Sequence, residues 1–146
     1  MSFQFPLAAV LRYRESIEQR EYYALERTQQ EIARVEERIR QVQEDCSKAT
    51  RERATELTRG IRAAHVQFAY EYQMALEQQR DLLLALLKEL KMKWRQQLAS
   101  YDVARRNRET LEKLREKQLD AYNREQGKRE QAVMDDIFLA RRARDN

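Results

Sequence analysis

Chain-breaking residues are almost absent from this sequence. Its 146 residues include one proline, Pro6, and two glycines, Gly60 and Gly127. A β-sheet protein of this length needs many more, because tight turns favour glycine and proline. Charged residues make up 37% of the chain, against about 25% in globular proteins, which leaves little apolar surface for a layered core. The sequence therefore predicts an all-helical chain with one or two breaks.

A heptad repeat of apolar and small residues runs through the first half of the chain. This seam comprises Leu25, Thr28, Ile32, Val35, Ile39, Val42, Cys46 and Ala49. Upstream, Val10, Ile17 and Ala24 keep the same period one residue out of phase, which predicts a stutter near residues 24–28. Pro6 suits a first helical turn. We expect helix 1 to span about residues 6–58.

A second amphipathic pattern fills the other half. It comprises Leu83, Leu87, Leu90, Trp94, Leu98, Tyr101, Leu111, Leu114, Leu119 and Tyr122. Gly60 is the residue between the two patterns that most readily adopts the left-handed conformation that ends a helix, so we expect a turn at about 59–64. Helix 2 is expected at about 65–126 and a helical tail at about 128–144, with Gly127 weakening the helix between them. The prediction is one domain over residues 1–146, an antiparallel two-helix coiled-coil hairpin with a C-terminal helical overhang.

The hairpin predicts which residues face each other. A turn centred near residue 61 pairs residues whose numbers add up to 122. This register sets apolar residues of the two helices against each other. A register slipped by one heptad keeps several of these apolar pairs. The expected hairpin core is Ile32, Val35, Ile39, Leu83, Leu87, Leu90 and Trp94. The last 30 or so residues then have no intramolecular partner.

Residues that carry chemistry are scarce. The chain has one histidine, His65, and one cysteine, Cys46, so no cluster of zinc ligands can be assembled from them. Two isolated glycines cannot form a phosphate-binding loop. We therefore expect no enzyme activity, no cofactor and no metal. The absence of a long apolar run and of a signal peptide predicts a chain that is not inserted in a membrane and stays in the cytoplasm.

Two segments are candidates for docking other proteins. Near the turn, Phe68, Tyr72, Ala75 and Gln79 share one helix face that two packed helices cannot fully cover. In the tail, an apolar stripe lies ahead of basic residues, and its candidate contact residues are Val133, Ile137, Phe138, Arg141 and Arg142. A basic stretch at 88–108 is a solvated helix face or an electrostatic footprint for acidic proteins or phosphates. Nucleic acid is disfavoured there, because the neighbouring aromatic residues belong to the seam.

Three segments resemble the flagellar export proteins of the FliJ family. They are residues 3–15 (FQFPLAAVLRYRE), 111–117 (LEKLREK) and 128–142 (KREQAVMDDIFLARR). The resemblance implies a cytoplasmic component of flagellar type III protein export, located at the inner face of the cytoplasmic membrane. It further implies a stalk that engages the hexameric export ATPase FliI, the cytoplasmic region of the export gate FlhA, and export chaperones.

The resemblance also assigns the two candidate segments. Phe68, Tyr72, Ala75 and Gln79 occupy the face that matches the gate-docking residues of the family, and the tail is expected to enter the ATPase ring. A stalk protein of a virulence type III secretion system is the nearest alternative. A generic coiled-coil scaffold and a polyanion-binding protein are alternatives from other classes.

Overall fold

Two long helices account for almost the whole chain. The computed structural model describes residues 2–60 and 62–146, and these residues contain no strand. Helix α1 comprises Ala8–Arg59, and helix α2 comprises Ala63–Asp145. The two helices pack against each other as a helical hairpin, which confirms the predicted all-α coiled-coil fold.

The ends of α1 follow from local chemistry. Before the helix, the backbone N–H of Ala8 donates to the carbonyl of Phe5 at 3.1 Å, so Pro6 lies in the turn that leads into the first helical residue. Gly60 follows the last residue of α1 with a φ of 73°, the left-handed conformation expected of it. Ile61, within the predicted turn, lies outside the described residues.

The buried positions of α1 follow one uninterrupted heptad phase. Val42 and Thr28 are the most completely buried side chains, and Ile39 and Leu11 are buried with them. Seven and fourteen residues before Leu25, the same heptad position is occupied by Glu18, which is half-buried, and Leu11, which is buried. Arg14 and Glu21, at the other seam position of the heptad, are half-buried too. Ile17 and Ala24, which carried the stutter predicted at 24–28, are half-buried as well, so the stutter stays a prediction, and the helix is continuous there as expected.

Val10, which the predicted phase placed in the seam, is 42% exposed. The prediction followed apolar side chains, whereas helix geometry continues the seam through Arg14, Glu18 and Glu21.

The predicted core residues lie along the contact between the helices. Ile39 is buried, whereas Ile32, Val35, Leu83, Leu87, Leu90 and Trp94 are half-buried. Two helices cover each other on one side only, so most seam side chains keep one edge in water. Phe5, Leu76 and Ala104 are also buried and complete the apolar interior.

The chain divides into two compact units. The first combines Met1–Arg20 with Asp102–Asn146, and the second is Glu21–Tyr101. Within the second unit, Thr50 contacts Gln73, Tyr22 contacts Tyr101 and Lys91 approaches Glu36, pairs whose numbers add up to between 123 and 127. The register is thus shifted by one to five residues from the predicted value of 122, which is less than one heptad.

A charged layer joins the helices in the unit of Met1–Arg20 and Asp102–Asn146. The Arg108 guanidinium donates to Glu18 of α1 and, at 2.6 Å, to Glu112 on its own helix. The hydrogen bond to Glu18, together with the negative charges of Glu18, Glu112 and Glu109, raises the pKa of Arg108. In the same unit, the rings of Phe3 and Tyr122 pack against each other with their centroids 5.6 Å apart. Glu18 and Arg108 both occupy seam positions, so the layer fixes which residues pair in this unit.

Breaking this layer on one side should destabilise the hairpin. We expect Arg108→Ala to lower the free energy of unfolding by about 1–2 kcal/mol, because the half-buried Glu18 carboxylate would lose its partner. The exposed Arg106 gives a matched control, and Arg106→Ala should change stability by less than about 0.5 kcal/mol. Urea denaturation followed by circular dichroism measures both. Equal effects of the two substitutions would show that the layer contributes nothing.

Helix α2 continues without interruption through Gly127. The separate helix 2 and tail predicted from the sequence form one helix that ends at Asp145. A glycine inside a helix costs about 1 kcal/mol relative to alanine, which is too little to break a helix of this length. We refer to residues 127–145, all of them exposed, as the tail.

Candidate docking surfaces

One face of α2 close to the turn carries exposed apolar side chains. Phe68 is 71% exposed, Tyr72 and Ala75 are also exposed, and Gln79 is half-buried. Their spacing of four, three and four residues places them on one side of the helix. The structure therefore brings together the four residues that the sequence predicted at this face.

The same face continues for two further turns, which the sequence reasoning missed. Leu82 and Leu86 follow Gln79 at three and seven residues, and Leu82 is 73% exposed. We call residues 68, 72, 75, 79, 82 and 86 the tip stripe. The sequence does contain a signal for Leu82 and Leu86. They continue the three- and four-residue spacing of the stripe, and each directly precedes a seam leucine, Leu83 or Leu87.

Polar contacts hold the two helices together beside this stripe. Arg53 donates to the Gln73 side chain at 3.3 Å, and Gln73 donates to the Thr50 hydroxyl at 3.1 Å. The Arg53 guanidinium also lies 5.3 Å from the centre of the Tyr70 ring. Thr50 and Arg53 belong to α1, and their partners Gln73 and Tyr70 lie on the other side of α2 from the tip stripe, so these contacts leave the stripe uncovered.

The tail carries the second exposed apolar surface. Its large apolar side chains are all about half or more exposed, and they are Val133, Met134, Ile137, Phe138 and Leu139. Arg142 and Arg144 lie in the last helical turn, where positive charge interacts favourably with the helix dipole. Arg141 is also exposed. Val133, Ile137 and Phe138 are among the contact residues predicted from the sequence, whereas Met134 and Leu139 are not.

Within the tail, Gln131 donates to the Asp135 carboxylate at 3.0 Å on the polar side of the helix. Around the helix, Val133, Met134, Ile137 and Phe138 lie within an arc of about 140°, whereas Leu139 lies beyond Asp135, outside this arc. We call these four residues the apolar stripe of the tail.

The residues considered for chemistry lie apart from one another. Cys46 is a half-buried free thiol in the seam, and His65 is exposed in the first turn of α2. Trp94 and Tyr101 are half-buried, and the Tyr101 ring centroid lies 6.0 Å from that of Tyr22. Over residues 2–60 and 62–146, no three histidine, cysteine or acidic side chains are grouped so that they could hold a metal ion.

No helix in the described part of the chain is both long enough and apolar enough to cross a bilayer.

Two long helices packed as a hairpin, with apolar side chains exposed on their surfaces, define the class of this protein as a helical coiled-coil hairpin. Comparison with known families is consistent with this class, since residues 3–146 match the family described as the flagellar FliJ protein. The chain belongs to this family, whose members are structural components of flagellar type III export. No curated protein and no solved structure gave a significant match.

Proposed function

We propose that this protein is a non-enzymatic stalk of the flagellar export apparatus that couples the export ATPase to the export gate. The family match over residues 3–146 is the observation that carries the proposal. In this proposal the tail enters the pore of the FliI hexamer, and the tip stripe docks on the cytoplasmic region of FlhA. The protein then works at the inner face of the cytoplasmic membrane, and empty export chaperones are further partners.

The two apolar surfaces support this division of roles. The tip stripe belongs to the unit Glu21–Tyr101, and the tail belongs to the unit that contains Asp102–Asn146. One chain therefore offers two separate sets of apolar side chains, so it can bind two partners at once without competition for the same residues. Basic side chains at Arg141 and Arg142 would favour an acidic lining of the ring pore.

The mechanism that we propose needs no chemistry from this chain. A single helix inside a ring of identical subunits contacts them unequally, so it breaks their equivalence and links each hydrolysis event to a change in stalk contacts. The hairpin then transmits the state of the ring to the gate through its docked tip stripe.

The tip stripe gives the direct test of gate docking. We expect Phe68→Ser combined with Leu82→Ser to weaken binding to the cytoplasmic region of FlhA at least about tenfold, because both side chains would lose buried area in the complex. Binding is measured by isothermal titration calorimetry with purified proteins.

A double variant at exposed apolar residues of the other unit serves as the control for this test. Tyr13→Ser combined with Val103→Ser should leave the affinity for FlhA within about twofold of the original. An unchanged affinity of the tip-stripe variant, with its helicity intact, would contradict gate docking through this face.

A generic coiled-coil scaffold differs from the proposed stalk in the molecules with which it associates. A scaffold would pair with copies of itself through its exposed stripes and would leave FliI unaffected. Sedimentation velocity of the chain with and without FliI therefore separates the two functions, because the proposed stalk co-sediments with the ATPase hexamer. In the same experiment, replacing FliI with the ATPase of a virulence secretion system tests whether the chain is instead the stalk protein of such a system.

A further inference from the structure

One layer of the seam is polar on both helices. Of residues 2–60 and 62–146, Thr28 is the one polar side chain that is buried, with 2% of its surface exposed. Gln97 is half-buried, and its Oε1 atom is the one enclosed side-chain oxygen or nitrogen in the same part of the chain that has no hydrogen-bond partner. Both residues line a cavity of about 250 Å³ to which both helices contribute. We call Thr28 and Gln97 the polar layer.

The two residues occupy facing seam positions in the unit Glu21–Tyr101. Thr28 belongs to the heptads of α1, and Gln97 lies seven residues after Leu90. The numbers of Thr28 and Gln97 add up to 125, which is inside the range of the pairs observed in this unit. One heptad nearer the turn, Val35 and Leu90 have the same sum and are both apolar. The polar layer therefore stands where the repeat would otherwise place an apolar one.

This layer lowers the stability of the folded hairpin. The Thr28 hydroxyl donates to the backbone carbonyl of Ala24 at 3.2 Å, so its hydrogen is used within α1. The enclosed Gln97 oxygen is removed from bulk water and receives no hydrogen bond from the protein in exchange. Two polar residues at this layer are therefore worse for stability than two apolar residues of the same shape.

The observed register gives Gln97 a polar environment. The other residues that line its cavity are Ala24, Arg27, Glu31 and Lys93, three of which are charged. A space of about 250 Å³ with polar walls admits water, which can donate a hydrogen bond to the Gln97 oxygen. Most of the lining side chains belong to α1, so a slip of one helix along the other would move them away from Gln97.

A slip of one heptad would also separate the two polar residues. In one direction the slip would set Gln97 opposite Val35, and in the other direction it would set Thr28 opposite Leu90. Enclosing the Gln97 amide against apolar side chains costs free energy, because no water or polar group then satisfies it. The polar layer thus distinguishes registers that the apolar layers do not.

We propose that the polar layer holds the hairpin in one register, at a cost in stability. A polar residue at a seam position of a coiled coil has this effect, because registers that bury it without a polar partner are disfavoured. The apolar layers stabilise the hairpin but fit several registers, whereas the polar layer fits one. The proposal concerns the pairing of the helices within the unit Glu21–Tyr101, and it does not depend on the function proposed above.

The test replaces the polar layer with apolar residues of similar shape. We expect Thr28→Val combined with Gln97→Leu to raise the midpoint of urea denaturation by at least about 0.5 M, because no enclosed acceptor is left without a partner. The same variant should populate a second register. Spin labels at Glu26→Cys and Ala85→Cys, two exposed positions in a full chain that also carries Cys46→Ala, report the register as a distance distribution in pulsed electron paramagnetic resonance.

The two registers are well separated in such a measurement. A slip of one heptad moves one helix along the other by about 10 Å, given the rise of an α-helix. We expect one distance for the chain with the original layer and two distances for the apolar variant. An excess of unlabelled chain removes distances between different molecules.

Two control variants separate register selection from a general effect of apolar substitution. Thr55, like Thr28, donates to the carbonyl four residues earlier, but it is exposed, as is Gln78. Thr55→Val with Gln78→Leu should therefore keep one distance and change the midpoint by less than about 0.3 M. Gln97→Asn keeps an amide in the layer, so it should also keep one distance.

Any of three results would overturn the proposal. A single distance in the folded apolar variant would show that the apolar seam and the turn at Gly60 are enough to fix the register. A midpoint that does not rise in this variant would show that the layer has no cost in stability. A second distance in either control would show that the register does not depend on this layer in particular.

Discussion

Removing residues 128–146 should abolish binding of this protein to the FliI hexamer while the hairpin stays folded. The tail is a helix with five large apolar side chains exposed to water, and they are Val133, Met134, Ile137, Phe138 and Leu139. Burial of such side chains supplies most of the affinity of a docked helix, so their loss should weaken binding by at least about a hundredfold. Co-sedimentation with the ATPase hexamer in the presence of nucleotide measures this loss.

The hairpin should survive the truncation because the tail packs on nothing. Every residue from 127 to 145 is exposed, so its removal exposes no further apolar surface in the rest of the chain. The helical signal in circular dichroism should fall only in proportion to the residues removed. The midpoint of urea denaturation should stay unchanged.

A pair of double variants refines the same prediction without deleting residues. Ile137→Ser with Phe138→Ser should reproduce most of the loss, because these side chains lie on the apolar stripe of the tail. Gln131→Ser with Asp135→Ser removes one exposed hydrogen bond and no apolar side chain, so this variant should bind almost as the original chain does. Unchanged ring binding of the truncated, folded chain would show that the tail is not the ATPase-docking element.

Truncation of the Val42 side chain should destabilise the hairpin. This residue is 1% exposed, whereas Val103, on the other helix, is 56% exposed. We expect Val42→Ala to lower the free energy of unfolding by about 1–3 kcal/mol more than Val103→Ala does, because only the first change removes buried apolar surface and leaves a cavity. Urea denaturation of the two variants provides the comparison.

The two valine variants are matched in a second respect. Both replace valine with alanine inside a helix, so both gain the same few tenths of a kcal/mol of helix propensity, and the difference between them isolates burial. Equal stabilities would mean that Val42 does not pack in a close interior.

The tip stripe shows why part of the docking surface could be predicted from the sequence. A helix fixes which residues share a face, so the spacing of Phe68, Tyr72, Ala75 and Gln79 was enough to group them. Leu82 and Leu86 were missed because each is adjacent to a seam leucine. In a run of consecutive leucines, the pattern alone does not tell which side chains face the partner helix and which face water.

The sequence by itself determined the helices and the turn. Gly60 is the only glycine or proline between Pro6 and Gly127, so local conformational preference leaves one place for the chain to reverse. The heptads of Leu25 to Ala49 set the buried face of α1, because the period of a helix is fixed by its own backbone hydrogen bonds.

Only the tertiary structure decided the register and the charged layer. The observed pairs differ by one to five residues from the predicted ones, since a repeating seam gives several registers similar apolar contacts. Charged residues such as Glu18 and Arg108 look like surface in a hydrophobic pattern, yet the packing of two helices sets them in contact. Which cations pair across the hairpin, as Lys91 and Arg108 do, depends on where the opposite helix places its acids, and that is a property of the folded chain alone.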